Sequence, residues 1–129
     1  MLVDSHCHLD FPDFADERAD ILARARGAGI GCMLSISTKL TTFAAVRAIA
    51  EANPDIFCTV GIHPHEADAE RLDSVATLVE AAKHPRVVGI GETGLDYHYD
   101  HSDRVNQARV FRAHIAAADR KSTRLNSSH

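Results

Sequence analysis

The chain has 129 residues, 45% of them apolar and 25% charged, with a formal net charge of -4. That length holds one modest domain, and the acidic balance excludes broad electrostatic binding to nucleic acid or anionic membrane. Any contact with a phosphodiester therefore has to be local, through a few basic side chains or through metal ions. The three cysteines, Cys7, Cys32 and Cys58, form no Cys-x-x-Cys pair. They argue against a disulfide framework and for a reducing compartment. No segment has the apolar length of a membrane span, and no basic-then-apolar leader opens the chain. A cytoplasmic protein with no membrane partner is expected.

Short apolar runs alternate with amphipathic stretches. "LVDSH" predicts a first strand. "DFADERADILARARGAG" predicts a helix with Phe14, Ile21, Leu22 and Ala25 on one face, acids at its start, Arg24 and Arg26 near its end, and Gly27 and Gly29 as its stop. "GCMLSIS" is a second strand, and "TTFAAVRAIAEANP" a second helix with Phe43, Val46 and Ala50 aligned. "IFCTVGIHP" is a third strand, and "ERLDSVATLVEAAKHP" a third helix with Leu72, Val75, Val79 and Ala82 on one side. "RVVGIGETGLDY" is a fourth strand running into a loop, and "SDRVNQARVFRAHIAAA" a fourth helix with Ala108, Phe111, Ile115 and Ala118 aligned.

These are four βα units of about 30 residues each. Strand followed by helix, repeated, gives an α/β fold with a parallel sheet. Either an open doubly wound sheet or part of a (βα)8 barrel fits. A full TIM-type barrel takes about 250 residues, so this chain supplies half of one. The domain is expected over residues 1–120. The last nine residues, "KSTRLNSSH", carry neither an apolar stripe nor a strand run, and 121–129 are expected to be a disordered, non-native tail.

The chemistry gathers at the strand ends. In "HCH", His6 and His8 project from one face of the first strand and Cys7 from the other. Both imidazoles emerge at the strand's C-terminal end, where parallel βα folds build their sites. Two nitrogen donors so placed can share one metal ion. Cys7 should face the helices, and it reads, like Cys32 and Cys58, as a small buried residue. In "GIGETGLDY", Glu92 sits between Gly91 and Gly94 at the end of the fourth strand, well placed to bridge metals. His63 in "VGIHPHEA" is expected to point into the same mouth as a candidate substrate or phosphate contact. His65, past Pro64, is expected to be exposed. Asp96 is read as stabilising the loop or orienting a ligand, and Tyr97 as packing over the mouth. No role is read for His84, His98, His101, His114 or His129.

Together, "VDSHCHLD", "GIHPHEA" and "GIGETGLDY" resemble the motifs of the TatD family of metal-dependent DNases, (βα)8 barrels of the amidohydrolase superfamily. The resemblance runs from about Met1 to about Ala118. It implies the first four βα units of a TIM-type barrel, here truncated to a half-barrel. It also implies hydrolysis of DNA phosphodiesters, often as a 3′ exonuclease, with divalent metal ions (Mg²⁺, Mn²⁺ or Zn²⁺), two per complete site. His6 and His8 would bind one metal, Glu92 would bridge toward the second, and His63 would line the phosphate site. The family takes two more histidines from its fifth and sixth strands and an aspartate from its eighth, and this chain has no such strands. No catalytic residue is therefore assigned, and the chain alone is expected to be inactive. Its open sheet edges favour self-association. Two other readings keep a place: amide or ester hydrolysis at the same metal mouth, and a non-catalytic α/β fragment. "GETGLDY" favours the DNase, because the nearest amidase-like relatives commonly carry a carbamylated lysine on strand four.

Overall fold

The structure, a computed structural model, describes residues 1–126. Four strands, β1 (Leu2–Cys7), β2 (Ile30–Ser35), β3 (Ile56–Val60) and β4 (Val87–Ile90), form one sheet in the order β1-β2-β3-β4, every neighbour parallel. The intervening helices are α1 (Arg18–Gly27), α2 (Phe43–Ala52) and α3 (Val75–Ala81), and α4 (Arg104–Asn126) follows β4. Sequential strands paired side by side in parallel are the arrangement of a barrel wall. An open doubly wound sheet would reverse its strand order.

The strand parity sorts side chains between two faces. Ile56, Cys58, Val60 and Ile62 are all 0% exposed and join Met33 and Val87 in the core. Leu22 of α1, Phe43, Val46 and Ala50 of α2, Leu78 of α3, and Val110 and Ala117 of α4 cover that face. Each fully buried aliphatic side chain there contributes about 1.5–3 kcal/mol. The other face, which is the inside of a barrel wall, leaves Leu2 and Val88 at 62% and 50% exposed. At its lower end the Arg86 guanidinium lies 4.1 Å from the Phe57 ring centre and donates to the carbonyls of Asn53, Pro54 and Ile56.

Several element boundaries differ from the sequence reading. Pro12 starts a separate 3-10 turn (Pro12–Phe14), so Phe14 is half-exposed outside α1 rather than on its apolar face. Leu72 is buried but precedes α3, which begins only after Ser74. The stripe of α4 is shifted. Gln107, Val110, His114 and Ala117 are buried, while Ile115 is 54% exposed. Two polar residues on the inner face hid the true stripe. The last helix runs past residue 120 to Asn126. Lys121 donates to the carbonyls of Ala82 and Val87, tying α4 to the end of α3 and the start of β4. The remainder of the expected tail, with His129, lies outside the described residues.

Candidate metal centre

His6, His8 and Glu92 come together at the C-terminal end of the sheet. One ligand atom from each lies within 4.8 Å of the others. His6 Nε2 is 3.4 Å from Glu92 Oε2, and His8 Nε2 is 3.7 Å from the same oxygen. His6 in β1 and His8 just past its end bring their ring centres to 5.1 Å apart. His8 Nδ1 lies 3.0 Å from the carbonyl of Ile36. A carbonyl only accepts, so Nδ1 carries the proton and Nε2 presents its lone pair toward Glu92. A ring fixed this way is oriented for metal binding. The His8 ring also stacks on Phe11, at 4.6 Å and 13°.

Glu92 lies just past β4, and neighbouring backbone holds it. Its N–H donates to the Ser37 carbonyl at 2.9 Å, and the Gly91 N–H donates to the Val60 carbonyl at 2.8 Å. Thr59 Oγ1 donates to the Gly91 carbonyl at 2.7 Å and accepts from the Ser37 N–H at 3.1 Å. Ser37 Oγ donates to the Thr59 carbonyl at 2.6 Å. Gly61 makes this close packing possible, since a Cβ there would meet the Gly91 carbonyl carbon at 2.5 Å. Nothing in the sequence marks this network, because Ser and Thr at these positions read as ordinary strand residues.

His63 faces the same carboxylate, with Nε2 3.7 Å from Glu92 Oε1. Its tautomer is the opposite of His8's. The His65 N–H donates to His63 Nδ1 at 3.1 Å, so the ring's proton sits on Nε2. Burial pushes the His63 pKa down, against the pull of Glu92, and favours the neutral ring. His63 therefore offers an N–H to the mouth, where His8 offers a lone pair.

Behind His63 the sequence reading needs correction. His65 is partly buried and hydrogen-bonds Asp96, and that bond holds the Asp96 carboxyl below its usual range. Asp96 Oδ1 also accepts the N–H groups of His98 and Tyr99, so it braces the loop. Tyr97 packs under the Arg104 guanidinium at 4.5 Å instead of covering the mouth. His114, read without a role, is 1% exposed. It donates from Nδ1 to the Val110 carbonyl at 2.7 Å and accepts the Ile62 N–H at Nε2 at 2.9 Å.

A cavity of about 550 Å³ opens beside the centre, lined among others by His8, Phe11, Thr38, Lys39, His63 and Glu92. Thr38 and Lys39 went unread in the sequence. The rule that located the histidines, attention to loops after strand ends, applies equally to "STKLTT" after β2. Cys7 and Cys58 point toward the helices, and burial raises their thiols to about 12 and about 11. They are packing residues.

Comparison with known proteins shows the family. Residues 3–125 match the model of the TatD related DNase family. The chain is 36% identical over 119 residues to the 3'-5' ssDNA/RNA exonuclease TatD of Erwinia tasmaniensis, covering 91% of this chain and 46% of that protein. It is 31% identical over 118 residues to the uncharacterized metal-dependent hydrolase YabD of Bacillus subtilis, covering 92% and 46%. The crystal structure of YjjV, a TatD homologue from Escherichia coli K12, superposes with a TM-score of 0.83 at 31% identity, over 92% of this chain and 47% of that one. The chain thus spans about half the length of the relatives it matches. Among the described residues no helix is long and apolar enough to cross a membrane. A parallel βαβα wall, the strand-end cluster and the match over residues 3–125 agree: the chain belongs to the TatD related DNase family.

Proposed function

We propose that this chain carries the first half of the active site of a metal-dependent phosphodiesterase acting on single-stranded nucleic acid. The observation that carries the proposal is the convergence of His6, His8 and Glu92 within 4.8 Å, with the His8 Nε2 lone pair directed inward by the bond from Nδ1 to Ile36. Two imidazoles and a carboxylate form a donor set suited to a divalent transition ion or zinc. His6 and His8 would hold one cation, and Glu92 would share it with a second. A bound divalent cation supplies Lewis-acid activation and offsets charge on phosphoryl oxygens.

The chain's own groups complete the mouth. His63 donates its Nε2–H to a phosphate oxygen, and its neutral ring loses no proton in doing so. Lys39 lines the adjoining cavity and offsets the charge of a neighbouring phosphate. These local contacts let a protein of net charge -4 hold a polyanion. The relatives named as 3'-5' ssDNA/RNA exonucleases support this substrate class. Turnover belongs to the whole protein, with ligands from the part of the relatives that this chain does not span. Alone, the chain is proposed to bind metal and nucleotide without sustained hydrolysis, and to self-associate through the open edges of β1 and β4.

The test is digestion of a 5′-labelled single-stranded oligonucleotide and its duplex, with Mg²⁺, Mn²⁺ or Zn²⁺, by the chain fused to the C-terminal half of the matched Erwinia tasmaniensis relative. Stepwise shortening of the single strand from the 3′ end, abolished by Glu92→Gln, is the expected result. Hydrolysis of amide or ester substrates with the oligonucleotide left intact would instead point to the amidohydrolase reading.

A further inference from the structure

The proposed substrate brings bases as well as phosphates, and this inference rests on that proposal. We infer that the exposed rings of Tyr99 and His101 form a stacking shelf for a base next to the scissile phosphate. A continuous path of rings leads there from the metal centre. His63 and His65 have ring centres 4.4 Å apart, His65 and His101 4.5 Å, and His65 and Tyr99 5.9 Å. Tyr99 and His101 lie parallel within 5° at 5.8 Å.

Exposure sets these rings apart. The chain has no Trp and only two Tyr, and both sit in the loop between β4 and α4. Tyr99 is 65% exposed. The loop is nonetheless held. Asp96 Oδ1 fixes the N–H groups of His98 and Tyr99 at 3.0 and 3.1 Å. Gln107 accepts the Asp96 N–H at 2.7 Å and donates to the Ser102 carbonyl at 2.8 Å. Ser102 Oγ donates to the His65 carbonyl at 2.9 Å. Aromatic rings ordered before any ligand arrives stack a base at low entropic cost.

Local charge selects which part of a nucleotide fits. Asp100 stands between the two rings in the sequence, Asp96 binds the loop beneath them, and Arg104 is engaged by Asp100 and the Tyr97 ring. Such a surface disfavours phosphate and accepts a neutral π-face. The groups that would receive phosphate, the neutral N–H of His63 and the ammonium of Lys39, lie on the side of the metal centre. A strand would then place its phosphate at the centre and a base on the shelf, with no sequence preference, because every base has a π-face.

The test is fluorescence anisotropy of the full chain, with Mn²⁺ present, against a labelled oligothymidylate and an abasic oligomer carrying the same number of phosphates. Wild type is expected to bind the oligothymidylate more tightly, by about 5- to 100-fold. Tyr99→Ala should lose that advantage while Tyr99→Phe keeps it, and His101→Ala should weaken it. Equal discrimination by wild type and Tyr99→Ala would overturn the shelf and leave the phosphodiesterase reading intact. Binding of neither oligomer by wild type would overturn both.

Discussion

His114 on α4 accepts a hydrogen bond from the Ile62 N–H at 2.9 Å, one residue before His63 enters the mouth. Its other nitrogen donates to the Val110 carbonyl at 2.7 Å, so the buried ring is satisfied only in its neutral form. Through this bond the last helix of the wall fixes the backbone that carries His63. Replacing His114 with Leu leaves the buried Ile62 N–H unpaired, which costs about 1–3 kcal/mol. Urea denaturation should show that loss, and His114→Gln, which restores an acceptor, should recover part of it.

Acid should expose the same group. Burial lowers the His114 pKa below the ordinary value of 6.5. Below about pH 6.5 the unfolded chain takes up a proton that the folded chain refuses, so stability falls as pH falls through that range. Above it the group contributes no pH dependence. Urea midpoints at about pH 8 and about pH 5.5 should show a smaller acid loss in His114→Leu than in wild type.

Gly61 should tolerate no side chain. A Cβ would lie 2.5 Å from the Gly91 carbonyl carbon, a contact made by backbone that cannot rotate away. Gly61→Ala should destabilise the chain by about 1–3 kcal/mol. It should also weaken metal binding, because Gly91 leads directly into Glu92. Gly27→Ala, with open space around the new methyl, is the matched control.

The two inward cysteines should be inert. Their thiols are raised to about 12 and about 11 by burial, leaving almost no thiolate at neutral pH. Alkylation followed by mass spectrometry should leave Cys7 and Cys58 unmodified in the folded chain and modify both in urea.

How much of this was legible in the sequence depended on what carried the signal. Strand runs such as "IFCTV" announce themselves because both faces of a covered parallel strand are apolar. The placement of His6, His8, His63 and Glu92 was legible because strand parity and strand ends suffice to gather them. The support behind them was not. His114 and Gln107 interrupt the apolar stripe of α4, and the reading settled one position away on Ile115, which is exposed. Both are buried because each satisfies backbone groups far along the chain, at Ile62 and Asp96. Such partners leave no local periodicity. The bonds from Lys121 to the carbonyls of Ala82 and Val87 are equally invisible in the sequence, because their partners lie more than thirty residues away.

The most direct measurement is calorimetric titration of the chain with Mn²⁺ and Zn²⁺, for wild type, His8→Ala and Glu92→Gln. Wild type should bind at least one cation per chain. Either substitution should weaken that binding by about tenfold or more, with the fold unchanged by circular dichroism. A wild-type chain that binds no cation, or variants that bind as wild type does, would contradict a metal centre built on His6, His8 and Glu92.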